Sequence, residues 1–163
     1  MQSDSLSFLL AKADNRQLLA SLLAAGTELV VVGGTALAHH GLRDVMAVDD
    51  LDLMVNPTKV NAERVGAVLE SLRMPLTNIS SALARPAVQV PLKGGQYWAE
   101  LLTPVREIEF ESVYACAVTA VVGELLVRVA SIADLLRMKQ LAVNELRSSL
   151  KKHEVDLQRL QDA

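Results

Sequence analysis

The stretch "VVGGTALAHHGLRDVMAVDDLDLMV", Val31 to Val55, holds two adjacent glycines, a run of helix formers, and then Asp50 and Asp52 inside an otherwise apolar segment. The run "ELVVV" that leads into it, Glu28 to Val32, is β-branched and reads as a buried strand. Gly33-Gly34 ends that strand, "TALAHHG" reads as a short helix stopped by Gly41, and "LDLMV" is a second strand. Side chains alternate across a strand, so Asp50 and Asp52 share a face with their Cα atoms about 6–7 Å apart, while Leu51, Leu53 and Val55 take the other. Asp49 points away from the pair.

Two like charges held this close repel, and burial raises the cost of ionising them. A divalent cation reverses that cost. Mg²⁺ favours one or two carboxylates together with phosphate oxygens and waters. Two such ions roughly 3.5–4 Å apart can activate an attacking oxygen and stabilise a leaving phosphate. The glycine pair fits the same chemistry. Gly33 and Gly34 lie between a strand and a helix, where bare backbone N–H groups favour an anion and no Cβ blocks its approach; Thr35 adds a hydroxyl donor. Taken singly, Gly-Gly also marks a plain tight turn, and an Asp-x-Asp pair also occurs on a solvated edge strand.

Outward from this stretch the order is mixed. Asp4 or Ser5 caps a first helix through about Ala13, and Asp14 caps a second, "NRQLLASLLAAG", that stops at Gly26. "KVNAERVGAVLESL" after "NPT" is an amphipathic helix; Arg73 to Arg85 is a loop with a helical turn. "AVQVPL" and "QYWAELL" flank "KGG" as a hairpin, "REIEFESVYA" is a short helix, and "VTAVV" and "LLVRVA" flank Gly123-Glu124 as a second hairpin. Ser131 to Asp134 resembles a capping box, with Asp in place of Glu or Gln, and starts "DLLRMKQLAVNELR"; "KKHEVDLQRLQ" is a last helix. The 163 residues contain no repeat and no linker, so residues 1–163 read as a single α/β domain, a mixed sheet covered by helices, with N-terminal helices over 1–26 and C-terminal helices over 131–163.

Composition excludes several classes. Apolar residues make up 51% but aromatics only 3%, so the core is built from Leu, Val, Ala and Ile. The net charge of −3 supplies no global basic field for nucleic acid. The N-terminus has no signal-peptide pattern, and the apolar regions Leu18–Ala38 and Val113–Ala130 are interrupted by charges and glycine, so a cytoplasmic protein without membrane spans is expected. The single Cys116, set in "YACAV", reads as a buried structural thiol. Trp98 shares Glu100's strand face and reads as core packing, with stacking on a base as the alternative. His39 and His40 read as structural or exposed, with His40 the better functional candidate, and Arg43 as either a phosphate contact or a solvated loop residue.

"GGTALAHHG…DDLDLMV" resembles the nucleotidyltransferase-fold superfamily, in the branch of AbiEii-type toxins from toxin–antitoxin systems and minimal nucleotidyltransferases. "YWAELLTP" is similar to the strand bearing that family's third carboxylate, which is Glu100 here. "IADLLRMKQLA" is similar to its lysine-bearing helix, with Lys139, and "KKHEVDLQRL" to its closing helix. Three departures stand out: Glu100 replaces the commoner Asp, the segment from Gly34 to Asp50 is longer than in the smallest members, and His153 stands where the closing helix often has an acidic residue.

The resemblance implies a nucleotidyltransferase fold and an enzyme that moves a nucleoside monophosphate from an NTP to a hydroxyl acceptor. Asp50, Asp52 and Glu100 would be the catalytic and metal-holding residues for Mg²⁺ or Mn²⁺. Gly33, Gly34, Thr35 and Lys139 would hold the triphosphate. The acceptor is left open among an RNA end, a protein and a small molecule, and a partner protein or a homo-oligomer is compatible with the sequence. The alternative is a catalytically inactive binding or antitoxin-like module on the same fold.

Overall fold

The computed structural model describes residues 2–74, 76–92, 97–145 and 151–163, with the side chains of 2–4 and 151–155 outside that description. Strand β1 (Leu29–Val32) is buried along its length. It ends at Gly33, whose φ of +63° turns the chain directly into helix α3 (Gly33–His39), so the helix begins on the glycine pair itself. A 3₁₀ turn at Val45–Ala47, where the Met46 amide donates to the Asp44 carboxylate at 2.9 Å, leads into β2 (Leu51–Val55). Helix α4 (Lys59–Ser71) starts at Thr58, whose Oγ1 accepts from the Asn61 amide at 3.2 Å; it buries Ala62, Val65, Val68 and Leu69. The helical turn expected between Arg73 and Arg85 is α5 (Ile79–Leu83).

Strands β3 (Gln89–Pro91) and β4 (Ala99–Leu102) pair antiparallel, as the hairpin pattern predicts. The turn expected at Lys93–Gly95 and the His153 side chain lie outside the described residues, whereas Asp4 and Ser5, expected to cap the first helix, lie within it, because that helix already begins at Gln2. Helix α6 (Phe110–Cys116) precedes the hairpin of β5 (Val118–Val122) and β6 (Leu125–Val129), which turns at Gly123 with φ +60°. Helix α7 (Ile132–Glu145) opens on the expected cap: the Asp134 amide donates to Ser131 Oγ at 3.2 Å. With Asp at the last position of the box, its carboxylate instead accepts from the Ser131 hydroxyl at 3.0 Å. Helix α8 (Lys151–Asp162) follows it, and α1 (Gln2–Leu10) and α2 (Asn15–Ala24) begin the chain, α1 ending earlier than Ala13.

The six strands form one open sheet in the order β3-β4-β2-β1-β6-β5. β1 runs parallel to β6 and β2 parallel to β4, while the other neighbours are antiparallel. The fold is therefore mixed α/β with helices packed on a mixed sheet. The core is made mainly of Leu, Val and Ala, with Met54, Tyr97, Ile108 and Phe110 among them. No described helix is long and apolar enough to cross a membrane.

One buried polar side chain ties the N-terminal helices to the sheet. Asn15 is fully buried; its Nδ2 donates to the carbonyls of Leu9 and Trp98, each at 3.0 Å, and its Oδ1 accepts from the Trp98 amide at 2.8 Å. The Trp98 carbonyl also accepts from the Leu51 amide at 2.9 Å. The Asn15 amide thus acts as a strand partner for the residue that leads into β4. Asn15→Ala leaves these buried backbone groups without that partner and is expected to cost about 2–4 kcal/mol. Urea unfolding of the full chain measures this, and a loss well below about 1 kcal/mol would show that water replaces the amide.

Candidate active site

The acidic pair stands in the interior of the sheet, because β2 has β1 on one side and β4 on the other. This removes the solvated-edge alternative. Asp50 immediately precedes β2, and Asp52 is its second residue. Parallel pairing of β2 with β4 sets Asp52 opposite Glu100. Along β4 and its approach, Tyr97, Ala99 and Leu101 are buried while Trp98, Glu100 and Leu102 are more open, so the last three share the face of the acidic residues. One carboxylate oxygen each from Asp50, Asp52 and Glu100 lies within 4.8 Å of the other two. Asp49 is exposed and stands outside this group.

The two glycines do different work. A Cβ on Gly33 would run into the Asp52 carboxylate, with Asp52 Cγ at 3.1 Å, and the residue holds φ +63°. Glycine there satisfies a close approach and a left-handed backbone at once. A Cβ on Gly34 would instead meet the Arg43 guanidinium at 2.8 Å and Val48 at 3.6 Å. Gly34 therefore provides room for Arg43. Thr35 is fully buried and its hydroxyl donates to the Asp50 carbonyl at 2.9 Å. Its observed work is to fix the backbone of the first carboxylate, where the sequence suggested a donor facing a ligand.

Lys139 reaches the site from α7. Its Nζ lies 3.1 Å from Asp156 Oδ2, and the residue lines a cleft of about 460 Å³ together with Gly33, Asp52 and Glu100. Arg43 lies 3.5 Å from the same Asp156 oxygen and donates to the Ala47 carbonyl at 3.2 Å. It is neither a solvated loop residue nor a lining group of this cleft; it belongs to a buried charge cluster behind it. Asp156 is the residue the sequence reading missed. It precedes the buried Leu160 by four positions, and a carboxylate on the apolar face of a closing helix was the available signal.

Other expectations change. Trp98 is 49% exposed, which overturns core packing: its backbone is committed to Asn15 and Leu51, while its indole follows the open face of β4. Cys116 is exposed, because it closes α6 at the surface, so it is not a buried thiol. His40 Nε2 lies 2.8 Å from the Ala130 carbonyl, and His39 is buried edge-on to His40; both are structural contacts. On the opposite face of β4's approach, burial and then the Asp14 carboxylate push the Tyr97 phenol up.

Three hard oxygen donors from two neighbouring strands suit a cation of the Mg²⁺, Mn²⁺ or Ca²⁺ type. Oxygens bonded at roughly 2.0–2.6 Å to one ion can be up to about 4–5 Å apart, and these three lie within 4.8 Å of one another. The close seat of Asp52 against Gly33 is the cradle a side chain would fill. No family model matches the sequence, and no curated protein matches it.

Gly33→Ala is expected to lose about 1–2 kcal/mol from the left-handed backbone and to displace Asp52, abolishing any melting-temperature response to Mg²⁺. Gly34→Ala meets only the movable end of Arg43 and should keep that response. Equal Mg²⁺ responses of the two folded variants would remove Gly33 from the metal centre.

Proposed function

We propose that the chain is a metal-dependent nucleotidyltransferase of the nucleotidyltransferase fold, moving a nucleoside monophosphate from an NTP to a hydroxyl acceptor. The observation that carries this reading is the convergence of Asp50, Asp52 and Glu100 within 4.8 Å beside a cleft that Lys139 also lines. Mg²⁺ or Mn²⁺ bound by these carboxylates supplies charge neutralisation for phosphate oxygens. Glu100, one methylene longer than Asp, accepts the proton of the attacking hydroxyl. The hydroxyl oxygen bonds to the α-phosphorus, the bond from that phosphorus to its bridging oxygen breaks, and pyrophosphate leaves with the electron pair. Lys139 offers a positive charge to the triphosphate, and Asp156 holds its ammonium in place. Gly33 keeps the approach to Asp52 open.

The test is transfer of label from an α-phosphate-labelled NTP to components of a cell extract, with pyrophosphate release. Label transfer should require Mg²⁺ or Mn²⁺ and fall at least about 100-fold in Asp52→Asn and Glu100→Gln. Binding of NTP without pyrophosphate release under any acceptor condition would favour a non-catalytic module instead.

A separate expectation concerns stability. Asp50→Asn keeps the shape and removes one of three converging charges, so without metal the variant should be at least as stable as the parent. Mg²⁺ with NTP should stabilise the parent by about 2.7 kcal/mol at 100 times the dissociation constant, and the variant much less. Melting curves with and without ligand check this; identical ligand shifts would end the metal-centre reading.

A further inference from the structure

The cleft beside the carboxylates is divided in character. Asp52, Glu100 and Lys139 line it together, while most of its remaining lining is apolar, with Leu102 on the sheet and Leu135, Met138 and Leu141 on α7. Thr103 and, at the end of α7, the exposed Glu145 are the polar exceptions beside Gln89. Gln89 is the only side-chain amide among the described residues that line it. In the antiparallel β3–β4 pair, Pro91 is opposite Glu100 and Gln89 opposite Leu102. Gln89 therefore shares the sheet face of Glu100, displaced from it along the strand by two residues, about 7 Å. It stands beyond the carboxylates on the side where the cleft becomes apolar.

We infer that Gln89 is a specificity-determining residue that reads the nucleobase of the bound NTP. The inference rests on the nucleotidyltransferase reading of the same site. With the phosphates drawn to the metal and Lys139, the nucleoside extends along the apolar lining. A nucleobase has apolar faces and an edge of hydrogen-bond donors and acceptors. Leu102 and Met138 offer surfaces for the faces, and the Gln89 amide offers both an acceptor oxygen and two N–H donors for the edge. Being neutral, it discriminates by hydrogen-bond pattern and adds no charge to the acidic centre. Gln89 is itself exposed where it lines the cleft, so a mismatched edge there loses its hydrogen bond to the amide and the resulting preference is moderate.

The experiment is calorimetric binding of ATP, GTP, CTP, UTP and inorganic triphosphate to the full chain in Mg²⁺. The parent should separate its best and worst NTP by about tenfold or more. Gln89→Leu, similar in size and without polar atoms, should shrink that spread to within about threefold while leaving affinity for inorganic triphosphate unchanged. Gln89→Glu, which keeps acceptors and loses the donors, should reorder the preference. The inference is overturned if Gln89→Leu keeps the parent's spread, or if it loses triphosphate affinity together with NTP affinity. A parent that binds all four NTPs equally overturns it and leaves the nucleotide reading standing. A parent that binds neither NTP nor triphosphate overturns both.

Discussion

The parallel pairing of β2 with β4 is the constraint on which the candidate centre depends. It sets Asp52 opposite Glu100 and so brings together carboxylates that are far apart along the chain. A shift of one residue in that register would turn Glu100 to the opposite face, into the core positions that Ala99 and Leu101 now fill. The register is protected on two sides. Leu51 donates to the Trp98 carbonyl from β2, and the buried Asn15 amide occupies both backbone groups of Trp98 from the helical layer. The N-terminal helices are thus part of the centre's scaffold, although none of their described side chains joins the carboxylate cluster.

Charge is arranged in layers behind this register. Asp50, Asp52 and Glu100 form the negative layer at the sheet. Lys139 stands between that layer and Asp156, and Arg43 shares the Asp156 carboxylate from the α3 side. A buried pair of this kind contributes little net stability, but removing one partner leaves a charge uncompensated. Its consequence here is positional: α8 holds the Lys139 ammonium at the cleft and ties the turn after α3 to the C-terminal helices. Gly34 belongs to this cluster through the room it gives Arg43, and Gly33 belongs to the carboxylates. Two adjacent glycines serve opposite sides of one turn.

Local patterns in the chain identified most elements, since hydrophobic period, glycine punctuation and cap residues act over a few positions. β1, β2, both hairpins and the capped α7 all follow from such signals. The acidic pair and its likeness to a metal-binding strand were also legible, because two carboxylates in an apolar run conflict with a purely structural strand. Where the reading failed, the deciding contact was distant in sequence. Trp98 is open because its backbone is held by Asn15 and Leu51. Thr35 turns to the Asp50 carbonyl, and Arg43 is buried by a carboxylate on α8. Cys116 sits in an apolar-looking run that ends a helix at the surface.

The sequence by itself determined the mixed α/β class, the Leu- and Val-rich core and the closeness of the Asp50 and Asp52 carboxylates, because these depend on local periodicity and composition. Only the tertiary structure decided that this strand is interior, that Glu100 meets the pair, that Gly33 and Gly34 divide their roles and that Asp156 steadies Lys139. The physical reason is that strand order, register and buried charge pairing are set by contacts between segments tens of residues apart, and a single segment shows at most a charged residue in an apolar run, not the partner it will meet.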